Sequence, residues 1–101
     1  MFYELNMKKL DIINQIFLKS NLNKQEIKYI VESFMNEIKE SLNNGENVYL
    51  RGFGTFELKK RAEKTARNIL KNKTIKVPAH HIPKFKPSKS FKNEVLKNNI
   101  I

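Results

Sequence analysis

Residues 59–79, KKRAEKTARNILKNKTIKVPA, hold eight Lys or Arg and one acidic residue, Glu63. Cations at that density suit one kind of chemistry. Each can neutralise a phosphate and release the counterions condensed around it. Lys59, Arg61, Lys64, Lys73 and Lys76 would line this stretch, and Lys86, Lys89 and Lys92 would extend it. Lys9, near the start of the first helical pattern, is a further candidate. A solvated surface charge explains any one of these lysines, but it explains the cluster poorly.

The whole-chain balance points the same way. There are 20 basic and 10 acidic side chains, a formal +10. Residues 1–58 contain 7 basic and 8 acidic groups, net −1; residues 59–101 contain 13 and 2, net +11. Charge gathered in one half is the footprint of a protein that meets a polyanion. Other chemistries find little support. His80-His81 invites a metal reading, but neighbours on an extended segment point to opposite faces. The chain has no cysteine, so thiolate sites and disulfides are excluded. No Ser-His-Asp order, glycine-rich phosphate loop or paired-carboxylate motif is evident, so neither an enzyme nor a cofactor is expected. Phe34, Phe53, Phe56, Phe85 and Phe91 could stack on bases if exposed; their spacing suits a core or a turn anchor better.

The elements that must hold these cations are legible in outline. Leu10, Ile12, Ile13, Ile16 and Phe17 recur at helical spacing between Lys8 and Ser20. Asn23 and Glu26 resemble a capping box. Ile27, Ile30, Val31, Phe34, Met35, Ile38 and Leu42 follow on one helical face, and Gly45 supplies a left-handed cap. So wide an apolar stripe in so small a chain suits a core shared between two subunits. Val48–Arg51 and Thr55–Leu58 alternate as strands around Gly52-Phe53-Gly54, where glycines permit unusual φ. The basic stretch is then expected to leave as a β-hairpin arm, turning at Lys71-Asn72. It returns through Thr74–Val77 to a segment whose Pro83 argues for a sheet edge or a strand end rather than a central strand. Ser88 caps a last short helix, with Phe91, Val95 and Leu96 inward and Lys89 and Lys92 outward. Residues 1–6 read as an extension, 7–96 as one domain and 97–101 as a frayed tail. The longest apolar run is too short to span a bilayer, and the N-terminus lacks signal-peptide order.

Gly45-Glu46, Arg51-Gly52-Phe53-Gly54-Thr55-Phe56, Arg67-Asn68, Pro78-Ala79 and Pro83-x-Phe85-Lys86 together resemble the HU/IHF family of bacterial histone-like DNA-binding proteins. The resemblance runs from Met7 to about Leu96. It implies an α+β fold with two N-terminal helices, a three-stranded antiparallel sheet with a long protruding hairpin arm, and a short C-terminal helix. It also implies an intertwined dimer, homodimer or heterodimer, whose arms enter the minor groove of double-stranded DNA in the bacterial nucleoid. Arg61, Arg67, Asn68, Lys86, Lys89 and Lys92 fall at the family's DNA-contact positions. Arg67 and Asn68 suit a groove that displays mainly acceptors. At the arm tip the sequence departs from the family. Ile69 stands where the family places its wedging proline, and isoleucine is among the residues used as minor-groove wedges.

The resulting expectation is an architectural protein that binds and bends DNA with little sequence specificity. A site-specific bender of the IHF kind is the nearest alternative, since Arg51 before Gly-Phe-Gly also occurs in that branch. A basic module that docks on RNA or on an acidic protein is a third reading.

Overall fold

A computed structural model describes residues 6–68 and 73–99. The elements run α1 (Lys9–Lys19), α2 (Lys24–Asn43), β1 (Val48–Leu50), β2 (Gly54–Arg61), β3 (Lys64–Asn68), β4 (Lys73–Val77), β5 (His80–Pro87) and α3 (Lys89–Asn98). The α+β class and element order agree with the sequence reading. Contacts divide the chain into two compact units, Met1–Lys39 and Glu40–Ile101.

In the first unit, α1 starts where Asp11 accepts a hydrogen bond from the Lys8 backbone N–H at 2.9 Å. The start of α2 follows from Asn23, whose Oδ1 accepts from the N–H groups of Gln25 and Glu26 at 2.8 and 3.4 Å. That satisfies two donors that the first helical turn would otherwise leave open. Ile13 and Ile27 are buried. The rest of the apolar stripe is not: Leu10, Ile12, Ile16, Phe17, Ile30, Phe34 and Met35 are exposed in the single chain, Phe34 by 50%. The helical periodicity is real, but one copy of the chain does not cover the face it predicts.

The second unit begins with the end of α2. Gly45 sits at φ 82°. The N–H groups of Gly45 and Glu46 reach back to the carbonyls of Leu42 and Ser41 at 3.0 and 2.9 Å, the pattern of a glycine-closed helix end. Strands β1, β2 and β5 form an antiparallel sheet in that order. Pro83 therefore lies in an edge strand, as its missing N–H requires, opposite Leu58. Asn47, just before β1 begins, accepts the Leu58 N–H on its Oδ1 at 3.1 Å.

The turn between β1 and β2 closes with the Phe53 N–H on the Leu50 carbonyl at 2.9 Å. Gly52, at φ 82°, occupies the turn position that needs positive φ. Gly54 is glycine for another reason. A Cβ there would sit 2.5 Å from the Lys86 carbonyl oxygen and 2.7 Å from the Phe85 ring. Conformational freedom explains Gly52 only; close packing explains Gly54.

Phe53 packs on Phe85 and Phe91 with ring centroids 5.0 and 5.5 Å apart, and Phe56 on Phe85 at 4.8 Å. Each such pair adds about 0.5–1.5 kcal/mol beyond the area it buries. Ser88 joins α3 to this cluster. Its N–H donates to the Phe53 carbonyl at 2.9 Å, and its Oγ caps the Phe91 N–H at 3.2 Å. Phe91 is half-buried, but Val95 and Leu96 are exposed, Leu96 by 65%. The inward assignment of those two residues fails within one chain.

Candidate nucleic-acid interface

The sheet register sorts the cations. On one face, Tyr49 stands beside Thr55, which pairs with Lys86; Glu57 pairs with Lys84, Lys59 with Ile82, and Arg61 with His80. On the other, Phe56 pairs with Phe85 and Leu58 with Pro83. Successive residues of a strand alternate faces. The aromatic cluster thus occupies one side of the sheet. The other presents Lys59, Arg61, Lys84 and Lys86 to solvent, all four exposed.

This register also redraws the arm. The stretch 59–79 does not leave the body at Lys59. Lys59, Lys60 and Arg61 are rungs of the main sheet, which ends at Arg61 opposite His80. The ladder breaks at Ala62-Glu63 and Pro78-Ala79, then resumes as a separate ribbon of β3 and β4, from Lys64 with Val77 to Asn68 with Lys73. His80 helps form the break. Its Nδ1 lies 2.9 Å from the Pro78 carbonyl oxygen; a carbonyl only accepts, so Nδ1 carries the proton.

On the ribbon the lysines are not equivalent. Lys64 shares a face with Val77, whereas Lys76 shares the other with Thr65. The two cannot lie on one track along one face. Lys76 Nζ is also engaged by Glu63 Oε1 at 3.0 Å, with both side chains largely exposed. Arg67 and Asn68 lie in β3, facing Thr74 and Lys73 across the ladder. Ile69 and the Lys71-Asn72 turn lie outside the described residues.

At the far end of the cationic sheet face, Lys86 and Lys89 line a cleft with Tyr49, Arg51, Thr55 and Ser88. Lys89 opens α3 and Lys92 follows three residues later, on the same side of the helix. Lys9, in the first unit, binds Glu32 Oε1 through Nζ at 3.0 Å. That contact comes first among the causes that hold the Glu32 carboxyl below its ordinary range. The charge of Lys9 is already partly answered within the chain.

Lys84 was missing from the sequence-based set. Its signal was present: Phe85 points to the core, so Lys84 and Lys86 flank it on the opposite face. The two lysines inside Pro83-Lys84-Phe85-Lys86 are alternate positions of one strand face, and both belong to the charged surface.

A three-stranded sheet with helices before and after it, one aromatic face, one cationic face and a basic ribbon defines a class of DNA-binding fold. The chain belongs to the family of bacterial DNA-binding proteins, whose model matches residues 7–96. It is 38% identical over 89 residues to DNA-binding protein HU of Thermus thermophilus, covering 88% of this chain and 92% of that protein. It is 39% identical over 89 residues to the integration host factor alpha subunit of Haemophilus influenzae, covering 88% and 93%. Among solved structures it resembles an Anabaena HU–DNA cocrystal structure with a TM-score of 0.82 and 28% identity, covering 88% of this chain and 97% of that one. No helix among the described residues is long and apolar enough to cross a membrane.

Proposed function

We propose that this chain is an architectural protein of the bacterial nucleoid that binds double-stranded DNA with little sequence specificity and bends it. The observation that carries this reading is the one-sided charge of the sheet. Lys59, Arg61, Lys84 and Lys86 gather on the face opposite the aromatic cluster, whose own face carries Lys60, and the basic ribbon follows on from the ends of β2 and β5. Such a face meets phosphates, which carry no sequence information directly. Lys59, Arg61, Lys86, Lys89 and Lys92 serve as body contacts. Arg67, Asn68 and Ile69 serve the minor groove, with Lys64, Lys73 and Lys76 on the ribbon and Lys9 as an outlying contact. Bending a stiff duplex costs a few kcal/mol, offset by the longer wrapped surface.

The working unit is a dimer. Apolar side chains are left exposed along α1 and α2, and exposed apolar surface of this kind marks a protein–protein contact. A second chain covers it. Homodimer and heterodimer both satisfy this requirement.

The similarity to an integration host factor subunit keeps site-specific bending as the second reading. The two separate on a competition experiment with a labelled duplex of arbitrary sequence. Unlabelled random-sequence DNA displaces the protein completely if binding is non-specific. Retention on one particular site in excess random DNA supports the specific reading instead. Duplex RNA is the third arm of the test. Its wide, shallow minor groove does not fit the ribbon geometry proposed for DNA, so equal affinity for RNA contradicts the proposal.

A further inference from the structure

The outer sheet face carries one cation that family likeness and charge density both pass over. Lys84 pairs directly with Glu57 across β2 and β5, yet the ion pairs among the described residues are Lys9–Glu32 and Lys76–Glu63. The diagonal neighbour of Lys84 across the ladder is Lys59. Lys59 lies two residues along β2 from Glu57 on the same face, within reach of a long side chain.

We propose that Lys84 and Lys59 form a phosphate-binding pair in the body of the protein, a DNA-backbone contact between the root of the ribbon and the α3 end. This inference rests on the DNA-binding reading of that face. Two exposed cations held side by side repel each other, and one phosphate between them relieves the repulsion. The Lys59 ammonium is already held below the ordinary lysine range, chiefly by the neighbouring Lys84 side chain and also by the charge of Arg61, with Glu57 opposing. Same-face residues of an extended strand recur about every 6.8 Å. Lys84 therefore fills the gap between Lys86 on its own strand and Lys59 on the next. Without it, Glu57 would interrupt the run of positive charge at that rung.

The test uses the full chain with a random-sequence duplex, titrated at stepped salt. Lys84→Gln, Lys59→Gln, the double variant and Lys97→Gln are compared, with circular dichroism to check folding. Lys97 is an exposed cation in the last turn of α3 and serves as the control. A phosphate contact through Lys84 lowers the slope of log affinity against log salt by about one in Lys84→Gln. It leaves Lys97→Gln at the wild-type slope. Because the pair shares one phosphate, the double variant loses less than the sum of the single losses. A steep wild-type slope with Lys84→Gln indistinguishable from Lys97→Gln overturns this inference alone. Additive losses overturn the sharing. A wild-type affinity that hardly responds to salt overturns the DNA-binding reading as well.

Discussion

Gly54 is where the sheet closes on its aromatic core. An alanine methyl there meets the Lys86 backbone and the Phe85 ring at once, and backbone cannot swing aside as a flexible side chain can. Gly54→Ala is expected to lose about 1–3 kcal/mol by overpacking, measured by urea denaturation. At Lys59 the expectation concerns pH. Its pKa in the DNA-free protein is lowered, so it loses its proton at a lower pH than an ordinary lysine. Bound phosphate favours the charged form and restores the proton. DNA affinity should therefore fall as pH rises through the lowered Lys59 pKa. Lys84→Gln, which removes the chief cause, should move that fall towards ordinary lysine pH. The groups around Lys59 on that face are Lys84, Arg61, Glu57 and His80, and His80 is opposite Arg61 rather than Lys59. Affinity measured at constant salt across the alkaline range checks this. At this scale the sequence was legible unevenly. It showed that Gly54 and Lys59 mattered, but not that a carbonyl and a ring exclude a methyl, nor that Lys84 lies diagonal to Lys59. Those facts come from strands far apart in the sequence being brought side by side by the β2–β5 register, which pairs Gly54 with Pro87 and Lys59 with Ile82.

The element that changed most between sequence and structure is the arm. Its charge and its strand character were both readable. Its boundary was not, because strand propensity runs unbroken through Leu58, Lys59 and Lys60, and only the register reveals that the main sheet ends at Arg61 opposite His80. The ribbon beyond carries Arg67 three rungs and Asn68 four rungs out from Lys64 and Val77. Arg67→Ala is expected to weaken binding itself, because it removes a donor suited to the acceptors of the minor groove. Ile69→Ala, at the position the family gives to its wedging proline, is expected to weaken bending more than binding. Energy transfer between dyes at the two ends of a short duplex, read alongside affinity, separates the two effects. Equal bend angles for wild type and Ile69→Ala would remove the wedge role from Ile69.

For the molecule as a whole, the sequence exposed the apolar stripe of α1 and α2 and the net charge, but a single chain buries little of that stripe. Ile13, Ile27 and Leu42 are the buried hydrophobic residues among those described, whereas Phe34 remains half-exposed. The helical pattern could not distinguish a private core from a shared one, since both need the same spacing. If a second copy supplies the missing cover, thermal stability should rise with protein concentration, because mass action favours the associated folded state. Melting curves across a hundredfold range of concentration check this, and a concentration-independent midpoint with a monomeric sedimentation coefficient would contradict it. The central claim concerns the charged face. The most direct test is titration of a random-sequence duplex with the intact protein at several salt concentrations. About six phosphate contacts predict an affinity loss of about a thousandfold between ~50 and ~200 mM salt. An affinity that barely changes across that range would contradict the account.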